Sequence, residues 1–167
     1  MSRPSLAGRV VTLAEAALLS QAWRVAGERI VLANGVFDLL HVGHVRYLAG
    51  ARALGARLIV AVNGDRSAER LKGKGHPVMA AGDRARLVAA LRGVDAVVVF
   101  DEPTVDTLLR TLRPDAHAKG TDYRRETVPE RPAAEALGIE TAIAGDPKAH
   151  ASRDLVARVR ERHGREA

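Results

Sequence analysis

Five short apolar runs, each followed by a segment with helix signals, constrain this chain more than any other feature. The runs fall at residues 29–34, 57–62, 96–100, 115–119 and 139–144. Each is short and bounded by turn or helix signals, and apart from the weaker run at 115–119 they are largely apolar, the pattern of a strand buried on both faces. Residues 44–54 read as a helix stopped by Gly55, since glycine just past the last turn ends helices. Residues 67–71 read as a short helix. Residues 82–91 place Leu87, Val88 and Leu91 on one face, and residues 105–112 stop before Pro114. Residues 132–137 stop at Gly138, and residues 152–162 carry Leu155, Val156 and Val159 at helical spacing. Strand–helix alternation predicts a single α/β domain: a doubly wound, five-stranded parallel sheet with right-handed crossovers. Ligands in such sheets bind beyond the carboxyl ends of the strands, at the switch point. The loops after the first, second, fourth and fifth runs are therefore the candidate site.

Ahead of the first run, Thr12-Leu13-Ala14-Glu15 is a capping-box pattern. The Ala-rich sequence behind it predicts a helix to about Val25, ending near Gly27. Residues 1–11 read as a loose start. The division expected is an N-terminal helical extension over 1–28, the α/β domain over 29–163 and a tail over 164–167.

The chain has 167 residues and no cysteine. That length fits one domain able to bury its own core. The absence of cysteine excludes disulfide frameworks, thiolate metal sites and a cysteine nucleophile. No signal segment or membrane-length apolar run is evident, so a cytoplasmic location is expected. The formal net charge is +6, from 26 Lys and Arg against 20 Asp and Glu. Such a balance attracts anions of many kinds. Aromatic residues are only 3%, too few for base-stacking platforms. Small anionic molecules are the expected partners, with neither nucleic acid nor a membrane.

The chemistry concentrates in Asn34-Gly35-Val36-Phe37-Asp38-Leu39-Leu40-His41-Val42-Gly43-His44, where the first strand ends and a helix begins. Backbone amides and the positive end of the helix dipole make that junction an anion site. Gly35 and Gly43 let backbone approach a ligand closely. Two histidines three apart present both imidazoles to one phosphate, and a protonated ring adds charge. Attack at an α-phosphate needs such positioned donors and no protein nucleophile. The bland alternative is a histidine pair that merely caps the helix. Lys72 and Lys74 lie in a Gly- and Pro-containing basic loop, and Lys119 ends a strand, where ligands bind.

This stretch, followed by Tyr47-Leu48, resembles the cytidylyltransferase-like branch of the HxGH nucleotidylyltransferases, nearest to the heptose 1-phosphate adenylyltransferases. The resemblance continues through residues 58–63 with Asp65, Leu71-Lys72-Gly73 with Pro77, Arg84, residues 112–115 and residues 119–123. It spans about residues 29–160, with two departures. His76 stands where the family places an arginine, and Ala151-Ser152-Arg153 replaces a Ser-Thr-Thr run.

The resemblance implies strand order 3-2-1-4-5 and a homodimer. It implies transfer from ATP to a sugar 1-phosphate, D-glycero-D-manno-heptose 1-phosphate, giving ADP-heptose and pyrophosphate with Mg2+. His41, His44 and Lys72 would act on the phosphates. Asn34, Gly35, Val36, Phe37, Gly43, Lys119, Asp122 and Ser152 would bind the nucleotide. Asp38, Arg84 and Asn63 would meet the substrate, Asp38 also through magnesium. The alternatives are a CTP-dependent enzyme acting on glycerol 3-phosphate or phosphoethanolamine, and a non-catalytic nucleotide-binding module.

Overall fold

The computed structural model describes residues 8–147 and 152–164, the side chains of Ser152 and Arg153 excepted. Six parallel strands build one open sheet: β1 (Arg9–Val10), β2 (Ile30–Gly35), β3 (Arg57–Asn63), β4 (Ala96–Phe100), β5 (Ala116–Gly120) and β6 (Glu140–Ala144). Their order is β1-β4-β3-β2-β5-β6. The five expected strands hold the expected order. The sixth, β1, falls in the expected loose start and pairs Arg9 with Ala96 and Val10 with Val97. Both its residues are exposed, so it has no apolar pattern and exists because the edge of β4 offers a ladder.

Seven helices are described: α1 (Leu13–Val25), α2 (Val42–Arg52), α3 (Asp65–Lys72), α4 (Ala81–Ala89), α5 (Asp106–Leu112), α6 (Arg131–Ala136) and α7 (Ser152–His163). One face of the sheet packs on Leu48 and Ala51 of α2 and on Ala85, Val88 and Ala89 of α4. The other packs on Ala16 of α1, on Leu108, Leu109 and Leu112 of α5, and on Ala134 of α6. Burial on both faces explains the unbroken apolar runs of β2 and β3. Leu87 departs from the expected face and is exposed, as are Leu155 and Val159 on α7.

Helix α1 opens on a reciprocal cap. Thr12 Oγ1 accepts from Glu15 N at 3.2 Å, and Glu15 Oε2 accepts from Thr12 N at 2.8 Å. The helix is tied to the sheet layer by Arg24 as well as by Ala16. The Arg24 guanidinium donates to Leu112 O at 2.8 Å and Arg113 O at 3.1 Å, at the C-terminal end of α5. No described helix is long and apolar enough to cross a membrane.

Candidate functional site

The chain runs from β2 outward to β3 and β4, then crosses to β5 on the other side of β2. The switch point therefore lies between β2 and β5. Their ladder stops at Ala33 and Ala118, one residue before Asn34 and Lys119. The Tyr47 hydroxyl from α2 fills the opening. It donates to Ala118 O at 2.8 Å and accepts from Asn34 N at 3.3 Å. Burial pushes this phenol well above its usual range, so it stays a donor. A crevice at the ends of diverging parallel strands is where this architecture binds ligands.

Helix α2 starts at that crevice, and its two histidines cap it. His41 Nδ1 accepts from Gly43 N at 3.1 Å, and His44 Nδ1 accepts from His41 N at 3.3 Å. The rings stack with centroids 3.9 Å apart. The capping arrangement therefore holds, and it also sets the chemistry. An Nδ1 that accepts a hydrogen bond carries no proton, so each neutral ring bears its proton on Nε2. Protonating either ring would set a donor against a backbone donor. In the neutral form each ring's donor is its Nε2–H, at the N-terminus of α2.

The approach to the helix is strained. Phe37 and Leu39 have φ of 52° and 49°, in the left-handed region, which bulky residues rarely adopt. The turn places the Phe37 ring 5.4 Å from His44 and 6.2 Å from Tyr47, centroid to centroid. That ring occupies the space where a side chain on residue 35 would sit. A Cβ on Gly35 would lie 3.1 Å from Phe37 Cε2. Gly35→Ala is expected to cost about 1–3 kcal/mol by overpacking and to shift the Phe37 ring signals, as measured by denaturant unfolding and NMR.

Three residues expected at the substrate serve the frame. Asp38 is buried, with Oδ2 accepting from Val78 N at 2.7 Å and Oδ1 from Met79 N at 3.1 Å. Its carboxylate pins the far end of the loop after α3. Arg84 is fully buried. Its guanidinium donates to Met79 O at 2.8 Å, Val36 O at 2.6 Å, Asn63 O at 2.8 Å and Asp65 Oδ1 at 2.7 Å. A buried group with four protein acceptors ties together the ends of β2 and β3. The buried Asn63 side chain donates to Ser67 Oγ at 3.1 Å. Lys72 ends α3 and is exposed, followed by Gly73 and Gly75 at positive φ.

Beneath the crevice lies a polar cluster that the sequence does not announce. Lys119 is buried, with Nζ 3.3 Å from Glu130 Oε1, 3.4 Å from Asn34 Oδ1 and 4.6 Å from the Tyr123 ring centroid. His117 is fully buried, with Nε2 2.9 Å from Asn34 Oδ1. Burial, then the Lys119 charge, pulls this imidazole down to about 3. Glu130 follows Pro129 and belongs to no motif. Asp122 is exposed in the turn after β5. The Ser152 side chain, Lys148 and His150 lie outside the described residues.

Contacts thus run from His41 through His44, Phe37, Tyr47 and Asn34 to Lys119. An open parallel sheet with an anion-facing helix at its switch point defines a nucleotide-binding α/β protein. The cytidylyltransferase-like family model matches residues 32–158. The chain belongs to that family.

Similar proteins include the bifunctional protein HldE of Methylobacillus flagellatus, 55% identical over 65% of this chain and 22% of that one. HldE of Aeromonas hydrophila is 42% identical over 92% of this chain and 32% of that one. The chain spans less than a third of the length of these curated relatives. A crystal structure of the lipopolysaccharide core biosynthesis protein from Thermoplasma volcanium matches with a TM-score of 0.62 and 28% identity, over 73% of this chain and all of that one.

Proposed function

We propose that this chain transfers the adenylyl group of ATP to D-glycero-D-manno-heptose 1-phosphate, giving ADP-heptose and pyrophosphate. The observation that carries the reaction type is the histidine pair, whose Nδ1 atoms are committed to backbone amides at the mouth of the crevice. Relatives named HldE and a structural neighbour named for lipopolysaccharide core biosynthesis favour a surface-glycan sugar as acceptor.

The sugar phosphate oxygen attacks the α-phosphorus in line, and pyrophosphate leaves from the opposite side. His41 and His44 donate from Nε2 to the phosphoryl oxygens, where charge builds in the transition state. No covalent enzyme intermediate is needed. Gly35 and Gly43 keep backbone close to the nucleotide, with Phe37 as packing behind the histidines. Asn34 and Lys119 form the floor of the pocket. Lys72 reaches the leaving phosphates from the exposed end of α3.

Magnesium is proposed to arrive on the nucleotide phosphates, the usual habit of this ion. Among the described residues no three His, Cys, Asp or Glu side chains are grouped to hold a metal. Both oxygens of Asp38 accept from loop amides, so the phosphates are proposed as the ion's main ligands.

Pyrophosphate release across ATP and CTP, each with heptose 1-phosphate, glycerol 3-phosphate or phosphoethanolamine, tests the assignment. Fastest turnover with ATP and the heptose upholds it. A preference for CTP with either alcohol phosphate overturns it, and nucleotide binding without any turnover points to a binding module. Lys72 is exposed, so Lys72→Ala is expected to leave thermal stability unchanged. Loss of one charge-assisted contact should raise the KM for nucleotide by about tenfold or more, read from initial rates beside a melting curve.

A further inference from the structure

The buried cluster beneath the crevice contains a group that the proposed reaction leaves without a task. His117 lies in the middle of β5 with no exposed surface. It faces the Asn34 side chain, and two nitrogens converge on Asn34 Oδ1: His117 Nε2 at 2.9 Å and Lys119 Nζ at 3.4 Å. The two contacts are unequal. Lys119 is shared with Glu130 at 3.3 Å and sits on a flexible stem. His117 is a ring fixed in a strand interior, at the shorter distance. A carboxamide has an acceptor end and a donor end, and half a turn about its last bond exchanges them at almost no steric cost. The group that holds one end decides which end meets a ligand.

We propose that His117 is a positioning residue that holds the Asn34 carboxamide with its oxygen inward and its N–H2 toward the crevice, making Asn34 a donor to the bound nucleotide. The ligand's identity rests on the function proposed above; the orientation of Asn34 does not. His117 Nδ1 is buried and has no partner among the described residues. This agrees with a ring that carries its proton on Nε2 and directs it at Asn34. Burial keeps that ring neutral, so the Nε2–H bond holds across the ordinary pH range. The Asn34 backbone is fixed separately by the Tyr47 hydroxyl, which leaves the side-chain torsion as the freedom that His117 removes.

The test compares His117→Leu with His117→Gln. Leucine fills the site without a donor, and glutamine places an N–H near the position of Nε2. By calorimetry, His117→Leu is expected to weaken ATP binding by about tenfold, the scale of one buried hydrogen bond. Its kcat should fall by less, and His117→Gln should bind within about threefold of the parent. Equal binding by the leucine variant overturns the proposal, as does equal damage in two folded variants.

The ligand-free protein gives an independent reading through the 15N signals of the imidazole and the Asn34 amide. A proton on Nε2, with Asn34 amide signals that move in His117→Leu, upholds the orientation. A proton on Nδ1 overturns it. If the parent binds no nucleotide, the proposed function fails, and this reading alone decides the role of His117. Should His117→Leu fail to fold, the tautomer in the parent and binding by His117→Gln decide it.

Discussion

His41→Asn is expected to lose turnover by about 10²–10³-fold, the usual cost of removing one preorganised donor, while its melting temperature stays close to that of the parent. The two outcomes separate because His41 has two jobs on two nitrogens. Its Nδ1 caps α2 by accepting from Gly43 N, and its Nε2 carries the donor proton. Asparagine is among the best N-cap residues, so it keeps the first job and abandons the second. His41→Ala removes both, and should add about 1 kcal/mol of destabilisation to the same kinetic loss. Steady-state pyrophosphate release beside thermal melts reads the pair. Near-normal turnover in folded His41→Asn would remove the histidines from the chemistry and leave them as a cap.

Arg84→Met should show the opposite signature, a loss of stability before any loss of specific chemistry. The side chain is fully buried and satisfies the carbonyls of Val36, Asn63 and Met79 together with the carboxylate of Asp65. Methionine supplies similar length and no donor. Breaking a buried charged network of this kind costs on the order of 3–5 kcal/mol, or a fall of roughly 10 °C in Tm for a domain of this size. Arg84→Lys keeps the charge but cannot span four acceptors, so it should recover only part of the loss. A raised substrate KM with an unchanged Tm would restore Arg84 to the substrate.

β2, β3 and β4 are legible because strands packed on both sides have few polar residues to interrupt them, while β5, which carries His117 and Lys119, and the edge strand β6 are marked by the helix signals around them. β2, β3, β4, β5 and β6 begin and end within a residue of the expected runs. β1 is illegible for the converse reason: two exposed residues carry no pattern, and the neighbouring edge alone makes them a strand. His41 and His44 stand out because they sit with glycines at a strand-to-helix junction. Arg84 does not, because an arginine early in an amphipathic helix looks like any surface residue. Its acceptors come from positions 5, 21 and 48 residues away along the chain. Asp38 is visible as a polar residue beside the motif, but its loop partners lie 40 and 41 residues on. His117 and Glu130 are single residues whose meaning depends on β2 and β5 parting two residues before either strand ends.

The close seating of α2 has a mechanical consequence. A Cβ on Gly50 would come within 2.6 Å of Gly145 N, and one on Gly145 within 3.0 Å of Tyr47 Cα. Backbone rests on backbone there, with no compliant side chain between. The Tyr47 hydroxyl bolts the same helix to β5. The histidines therefore ride on a stiff strut, whereas the segment just past α3, with Gly73 and Gly75 at positive φ, has a backbone of greater freedom. If the crevice tightens around a ligand, the imidazoles are expected to stay in place while softer segments adjust.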